Sequence, residues 1–310
     1  LPKLFKQIVL SNAVLVVIAI PFSFFSKEHQ RWFWYINQLT PGLTEFPRLA
    51  LFTYEASYYS LLLIPIFCYY AFKLLFSSIT HNKWITVLLV TVPLILSFSF
   101  GVLGALLLSG ILVSAMHWKK WIKYKRTFAI FAFILSVSAI ATAFLFLFFP
   151  QNFIVVRIQN ILSGHDTSAN GRTIDSFSMA WRVAASKNIF FGAGLGQIKI
   201  ITIDLVHKYY NYWGTFPRYD IPNAMGETLA IFGIVGVVFR MVLELYLYFK
   251  TKVYSNYYRL TLFIFIFIYQ FTGSFISNIV EYVIWIMAFS SIFEQFNVKN
   301  MPQVEVKVNH

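Results

Sequence analysis

Arg172 heads a polar, glycine-punctuated stretch, NGRTIDSFSMAWRVAASKNIFFGAGLGQ (Asn170–Gln197), in an otherwise oily chain. A guanidinium stays charged at any physiological pH, and its planar fork can grip two phosphate oxygens at once. At the lip of a membrane groove such a group suits the diphosphate of a lipid carrier. An arginine that merely extends its head to lipid phosphates would leave the same trace, and the residues alone leave the two readings level. Earlier, FPRLALFTYEASYYS (Phe46–Ser60) carries Arg48 at the beginning of an apolar run and Glu55 two turns deeper. A carboxylate at that depth is expensive, so it is either functional or paired. Seven residues apart, the two would project from one helical face and could pair with each other. Glu55 could equally meet an arginine of the later loop, or act as a base. A third stretch, RYDIPNAMGETLAIFGIVG (Arg218–Gly236), places Asn223 just ahead of a run in which Gly226, Ala230 and Gly233 share a face. A helix cap followed by close helix packing explains that pattern without chemistry. Arg240 and Glu244, spaced i and i+4, read as a structural pair.

The elements that must hold these residues are membrane helices. Of 310 residues 58% are hydrophobic and 12% charged, against roughly 25% charged in soluble domains. The mean hydropathy is +0.67. Apolar runs approach the roughly 20 residues a bilayer demands over 7–25, 53–76, 84–97, 100–118, 128–149, 226–249, 260–277 and 281–293. The turn SFSFG (Ser97–Gly101) must reverse the chain if 84–118 is to cross twice. The net charge of +13 comes from basic residues that punctuate apolar runs, which suits cytoplasmic loops and not a nucleic-acid surface. Lys73 and Lys83, KKWIKYKR (Lys119–Arg126), then Lys250, Lys252 and Arg259 fall between alternate pairs of runs. Setting them all inside gives eight crossings and leaves 26–48 and 150–223 outside. The second of these segments holds seven basic side chains against four acidic ones. Ile174, Phe177, Trp181, Ala184 and Ala185 predict a helix over 173–188 lying along the outer surface. The fold class expected is thus an all-α polytopic membrane protein, one transmembrane domain over 1–310, with short helices in an extracytoplasmic loop at 150–225. The start at Leu1-Pro2, without methionine, suggests that native helices precede it.

Several chemistries lack their motifs. There is no phosphate-binding loop of the ATPase kind, no His-Glu-x-x-His and no Asp-x-Asp pair for a divalent metal. GAGLG (Gly192–Gly196) has the wrong spacing for a dinucleotide site, and a simple glycine turn ending a helix explains it. Cys68 is the sole cysteine, so no intramolecular disulfide forms.

Taken in order, the Arg48–Glu55 motif, the serine-rich LSFSFG turn, GR…W…FFGAGLG and PNAMGETLAIFGIVG resemble the O-antigen ligase/polymerase family, from about Arg48 to Gly236. That resemblance implies a GT-C type membrane glycosyltransferase of the bacterial inner membrane, its active site facing outside. It would act on undecaprenyl-pyrophosphate-linked glycans as donor and acceptor. Its motifs fall on Arg172, Trp181, Gly192, Gly194 and Gly196, and on Arg48 and Glu55. In the mechanism expected for such an enzyme Arg172 and then Arg48 stabilise the leaving diphosphate, with Glu55 as base and Asp175 or Glu281 behind it. Trp181, Gly192, Gly194 and Gly196 would contribute to the substrate site, and Arg182, Arg218 and Asn223 are expected there as helpers, with no metal and no cofactor. Two departures bear on the acceptor. Many members have Ser-Arg-Gly where this chain has Ser99-Phe100-Gly101, and ligases typically have a histidine where Pro222 precedes Asn223. The second favours a Wzy-type polymerase of O-antigen or capsule repeat units over a ligase. A chain-length regulator and a flippase are the partners this implies. A lipid-linked-oligosaccharide transporter is the rival from another class, although no internal repeat is visible. A membrane scaffold without enzymatic activity would tolerate neutralisation of the loop charges.

Overall fold

The computed structural model describes residues 1–37, 46–76, 81–123, 144, 146–149, 151–210 and 220–299. Its helices are α1 (Pro2–Phe22), α2 (Lys27–Gln30), α3 (Ala56–Phe76), α4 (His81–Leu96), α5 (Phe100–Lys123) and α6 (Phe153–Leu162). They continue with α7 (Thr167–Arg172), α8 (Ile174–Lys187), α9 (Ile198–Tyr210), α10 (Ala224–Lys250), α11 (Tyr257–Tyr269) and α12 (Ile279–Phe289). Among the described residues four helices are long and apolar enough to cross a membrane: α1, α3, the 100–119 part of α5, and α10. Apolar stretches of α4, α11 and α12 mark three further expected crossings but are shorter. The crossing expected at 128–149 lies almost wholly outside the described residues, as does the end of the basic run, 124–126.

The chain is mostly helical, with one departure from the all-α expectation. Within 26–48, β1 (Trp34–Asn37) pairs antiparallel with β2 (Phe46–Leu49), and the register sets Tyr35 opposite Arg48. Strands of four residues are too short for alternation to show against an apolar background. The Trp34 indole donates to the Ala19 carbonyl at 2.8 Å, tying the hairpin to the last turns of α1. Arg48 therefore stands on a strand and Glu55 in the turn before α3, not seven residues apart along one helix.

α11 is the centre of the bundle. Leu260, Leu262, Phe265 and Ile266 on it are fully buried, and it packs against α3, α5 and α12. A helix apolar on every side has to be enclosed on every side or face lipid. α10 takes the second course over its later half, where Val235, Val238, Phe239 and Val242 are exposed. The SFSFG segment turns as its position requires. Phe98 adopts φ +44° between α4 and α5, and Ser97, fully buried, donates its hydroxyl to the Leu94 carbonyl while accepting one from Ser60 at 2.6 Å.

The helix predicted over 173–188 exists as α8. Its buried side is Ser176, Met179, Ala180, Val183 and Ala184, whereas Ile174 and Trp181 point outward, 69% and 51% exposed. Met179, Ala180 and Val183 form a small cluster with Ala230 and Ile231 of α10. Small side chains win that interface because they let two backbones approach closely, leaving the large apolar groups for the outer side.

Candidate active site

Arg172 ends α7 and donates from Nη2 to Glu55 Oε1 at 2.8 Å, across 117 residues of sequence. The pair is part-exposed, 29% for the arginine side chain and 17% for the glutamate. Burial opposes the charge on Arg172, but the Glu55 charge and hydrogen bond outweigh it and hold the guanidinium above its usual range. Tyr54, Ser57, Tyr58, Pro222, Tyr269, Ser274 and Asn278 line the cleft around the pair, which has a volume of only about 10 Å³, room for about one water. Tyr54 also borders a roomier neighbouring cavity of about 240 Å³, walled by Arg31, Trp34 and Tyr35 of the hairpin segment.

The backbone at Arg172 is held by a specific device. Thr173 breaks the helix between α7 and α8 (φ −114°, ψ −90°). The carbonyls at such a break need donors from elsewhere. Ser176 donates its hydroxyl to Gly171 O, and Asn223 donates its amide to Arg172 O at 2.7 Å. Asn223 also donates to Phe271 O beyond α11 and accepts from Gly226 N, capping α10. Expected in the substrate site, Asn223 is instead fully buried and positions Arg172 through its carbonyl.

Arg48 is 5% exposed, with its guanidinium over the Tyr35 ring at 5.1 Å. Its Nε is buried without a hydrogen-bond partner among the described residues. Burial pushes its pKa down to about 10 against the pull of Glu55, and Arg157 and Arg172 add to the fall. It remains a cation at neutral pH. Arg157, on α6, was legible in the sequence only as one of the loop's basic residues, with no motif around it. It is 6% exposed and sits 4.8 Å from the Phe100 ring. Its Nε lies 3.4 Å from Asp166 Oδ2, an ion pair just beyond hydrogen-bond reach in its geometry. Burial holds Arg157 below the usual arginine range despite Asp166, and Arg172 adds to that. Three arginines from β2, α6 and α7 therefore share one field. Phe100, at the start of α5, serves as the seat for an arginine from another element.

The remaining expected residues scatter. In α10, Gly233 adopts φ +65°, ψ −163° and breaks the rungs that would join Ile234 N to Ala230 O and Val235 N to Ile231 O. The loop before α9 takes over all four groups: Ala193 N and Gly194 N donate to Ala230 O and Ile231 O, while Ile234 N and Val235 N donate to Ile189 O and Phe190 O. Open backbone inside a membrane is tolerated only where such groups find partners. Gly192 and Gly194, expected to bind substrate, are committed to this clasp; Gly196 has open space beside it. Trp181 and Arg182 lie exposed on α8, and Arg182 is not among the charges acting on Arg172. Arg218 lies outside the described residues. Glu281, a reserve base, is 1% exposed and engaged by Arg240, which also holds Glu244 at 3.0 Å. Asp175 is half-buried in the first turn of α8.

A family model described as O-antigen ligase matches residues 85–241, just over half of the chain. The chain belongs to the O-antigen ligase family. No curated protein matches it. Membership makes it a multi-pass membrane enzyme of polysaccharide biosynthesis, and it accords with the motif order read from the sequence. Within the family's matched region fall Arg157, Arg172, Asn223 and the glycine clasp, while Arg48 and Glu55 come from the segment ahead of it. The arginine cluster is thus assembled across the boundary of the family match.

Proposed function

We propose that this protein polymerises undecaprenyl-pyrophosphate-linked repeat units into O-antigen or capsular polysaccharide at the outer face of the bacterial inner membrane, with arginines rather than a metal carrying the leaving group. A flippase would supply the units and a chain-length regulator would act beside it. The observation that carries this reading is the buried guanidinium of Arg48, with no partner on Nε among the described residues, in the field of the Arg172–Glu55 pair. A buried donor left without a hydrogen bond costs about 1–3 kcal/mol, so its retention needs a reason. A diphosphate supplies one.

In the reaction the acceptor hydroxyl oxygen attacks the anomeric carbon, and the bond from that carbon to the diphosphate breaks, its electron pair leaving with the diphosphate. Negative charge grows on the leaving group, so fixed cations favour the transition state over the ground state. The incoming diphosphate competes with Glu55 for Arg172. Once displaced, the Glu55 carboxylate is available to take the hydroxyl proton. The leaving group is already ionised and needs no general acid. Asn223 and Ser176 hold the Arg172 backbone throughout.

A ligase uses the same leaving group with another acceptor, and the family's description favours that second reading. Pro222 lines the cleft where ligases typically have histidine, which supports the polymerase. Deleting the gene separates them: single repeat units on the final acceptor indicate a polymerase, accumulated lipid-linked polymer a ligase. The direct test is reaction of purified protein with a defined undecaprenyl-pyrophosphate oligosaccharide. Lengthened product that persists with chelator present is the expected result. Product lost on chelation and restored by a divalent metal would overturn the arginine-only account.

Arg48→Met separates function from stability. It keeps much of the side-chain volume and removes a buried charge, so Tm should rise by several degrees, at about 2–4 °C per kcal/mol, while product formation collapses. A fall in Tm would mean that Arg48 is stabilised by the protein itself.

A further inference from the structure

We infer that the cavity between the hairpin and the turn into α3 holds the terminal sugar ring of the acceptor glycan, with Tyr54, Trp34 and Arg31 setting which sugar is accepted. The inference rests on the proposed glycosyl transfer, because it names where the attacking partner of that reaction sits. The cavity, about 240 Å³, lies beside the Arg172–Glu55 cleft, and Tyr54 lines both. Sites for drug-sized ligands run to about 300–1,000 Å³, so this one suits a single ring and not a chain of them. Its walls combine the rings of Trp34, Tyr35 and Tyr54 with the Arg31 guanidinium and the Thr53 hydroxyl. A pyranose matches that mixture. Its C–H bonds form a weakly positive face that lies well on the negative face of an aromatic ring, while its hydroxyls take and give hydrogen bonds around the rim.

The backbone fixes this cavity against the proposed base. Thr53 Oγ1 lies 2.7 Å from the Ala50 carbonyl oxygen and 2.9 Å from that of Glu55, so one wall is tied to the residue that would take the hydroxyl proton. The hairpin ends in a bulge, where Ala50 N and Leu51 N both donate to Phe33 O at 3.0 and 2.8 Å. Leu51, on the cavity wall, is held there at φ +46°. Strain of that kind persists only where the surroundings impose it, and it clusters at ligand sites. Tyr54 is 63% exposed yet braced by Tyr58, their ring centroids 5.0 Å apart, which leaves a face for a ligand. Trp34 commits its indole N–H to Ala19 O, so its ring alone is on offer. Neither Arg48 nor Arg172 lines the cavity. The ring held here is therefore assigned to the acceptor, whose hydroxyl must reach Glu55, and not to the donor sugar joined to the diphosphate. All of these residues precede the matched region 85–241, so acceptor choice is carried by a segment outside the family model.

The test uses the full chain in lipid nanodiscs, with an undecaprenyl-pyrophosphate oligosaccharide as donor and the methyl glycoside of the producing strain's own repeat unit as acceptor. Lacking a diphosphate, the glycoside can accept but cannot donate. Y54A and R31Q should each raise the acceptor KM by about five- to tenfold, the scale of one ring contact or one charged hydrogen bond. The kcat and the donor KM should stay within about twofold, a split that a loosened fold would not give. Both side chains are exposed, so the fold should survive either change. Y54F keeps the ring and should stay near wild type; a loss matching that of Y54A would overturn recognition by the ring face. Saturation-transfer NMR of the glycoside reads binding without turnover. Wild type should saturate the C–H protons of one terminal ring, and Y54A should abolish the signal. An acceptor KM unchanged in both Y54A and R31Q, a raised donor KM in its place, or no saturation by wild type would overturn the acceptor position and leave the role of Arg172 untouched. Wild type that binds the glycoside in a Tyr54-dependent way yet forms no product would keep the sugar site and remove the proposed transfer.

Discussion

Arg172→Ala is expected to reduce polymer formation by on the order of 10²–10³-fold, the scale seen when a preorganised charge partner is removed from a developing anion. Membrane abundance should hold, because Arg172 is part-exposed and its anchoring contacts run through its backbone carbonyl, which alanine retains. Arg172→Lys should lose nearly as much. Lysine offers a point charge where two phosphate oxygens call for a planar fork. Glycan ladders from cells, read beside an immunoblot of the membrane fraction, check both. Normal ladders from Arg172→Ala would remove this residue from the mechanism. Loss of the protein itself would show instead that the Glu55 pair is needed for folding.

Gly192→Ala and Gly233→Ala should each abolish folded protein. A Cβ on Gly192 would lie 2.4 Å from the Ile231 carbonyl carbon and oxygen, and one on Gly233 equally close to those of Phe190. Backbone atoms cannot swing aside as a long side chain can. Both residues also hold positive φ, +73° and +65°, where any other residue is strained. Overlap and strain together should exceed about 4 kcal/mol, the exceptional end of single substitutions. Gly196→Ala is the internal control. Its φ is +77° but nothing stands within 4 Å of the added carbon, so only about 1–2 kcal/mol should be lost. Size-exclusion profiles of detergent-solubilised protein would show aggregation for the first two and a monodisperse peak for the third. A well-folded Gly192→Ala protein would mean that the loop can withdraw from α10.

What the sequence revealed and what it concealed divide along physical lines. Crossings such as α1, α3 and α10 were legible because an apolar run near the span length has few alternatives in a chain this oily. Glu55 was singled out because an ionised group is costly at that depth and Arg172 because its fork heads a polar stretch in an oily chain; that Glu55 could meet a loop arginine was foreseen, but which one is a matter of tertiary fold. Arg157 stayed hidden since a lone arginine in a basic loop has no local signature, and only its burial distinguishes it. Periodicity marked the large apolar side of α8 but not the small-residue side that packs against α10, because spacing weights large side chains. GAGLG was weighed as a turn or a ligand loop, and neither anticipates a segment that replaces broken rungs in a distant helix. The hairpin had too few residues to announce itself.

The exchange of four hydrogen bonds between 189–194 and 230–235 has an implication for how this sequence can change over time. Neither segment can drift alone: a residue gained or lost in one shifts the spacing of donors and acceptors that the other must match. Substitutions there should arise as coordinated pairs, while exposed apolar positions of α10 such as Val238, Phe239 and Val242 are free to vary in any apolar direction.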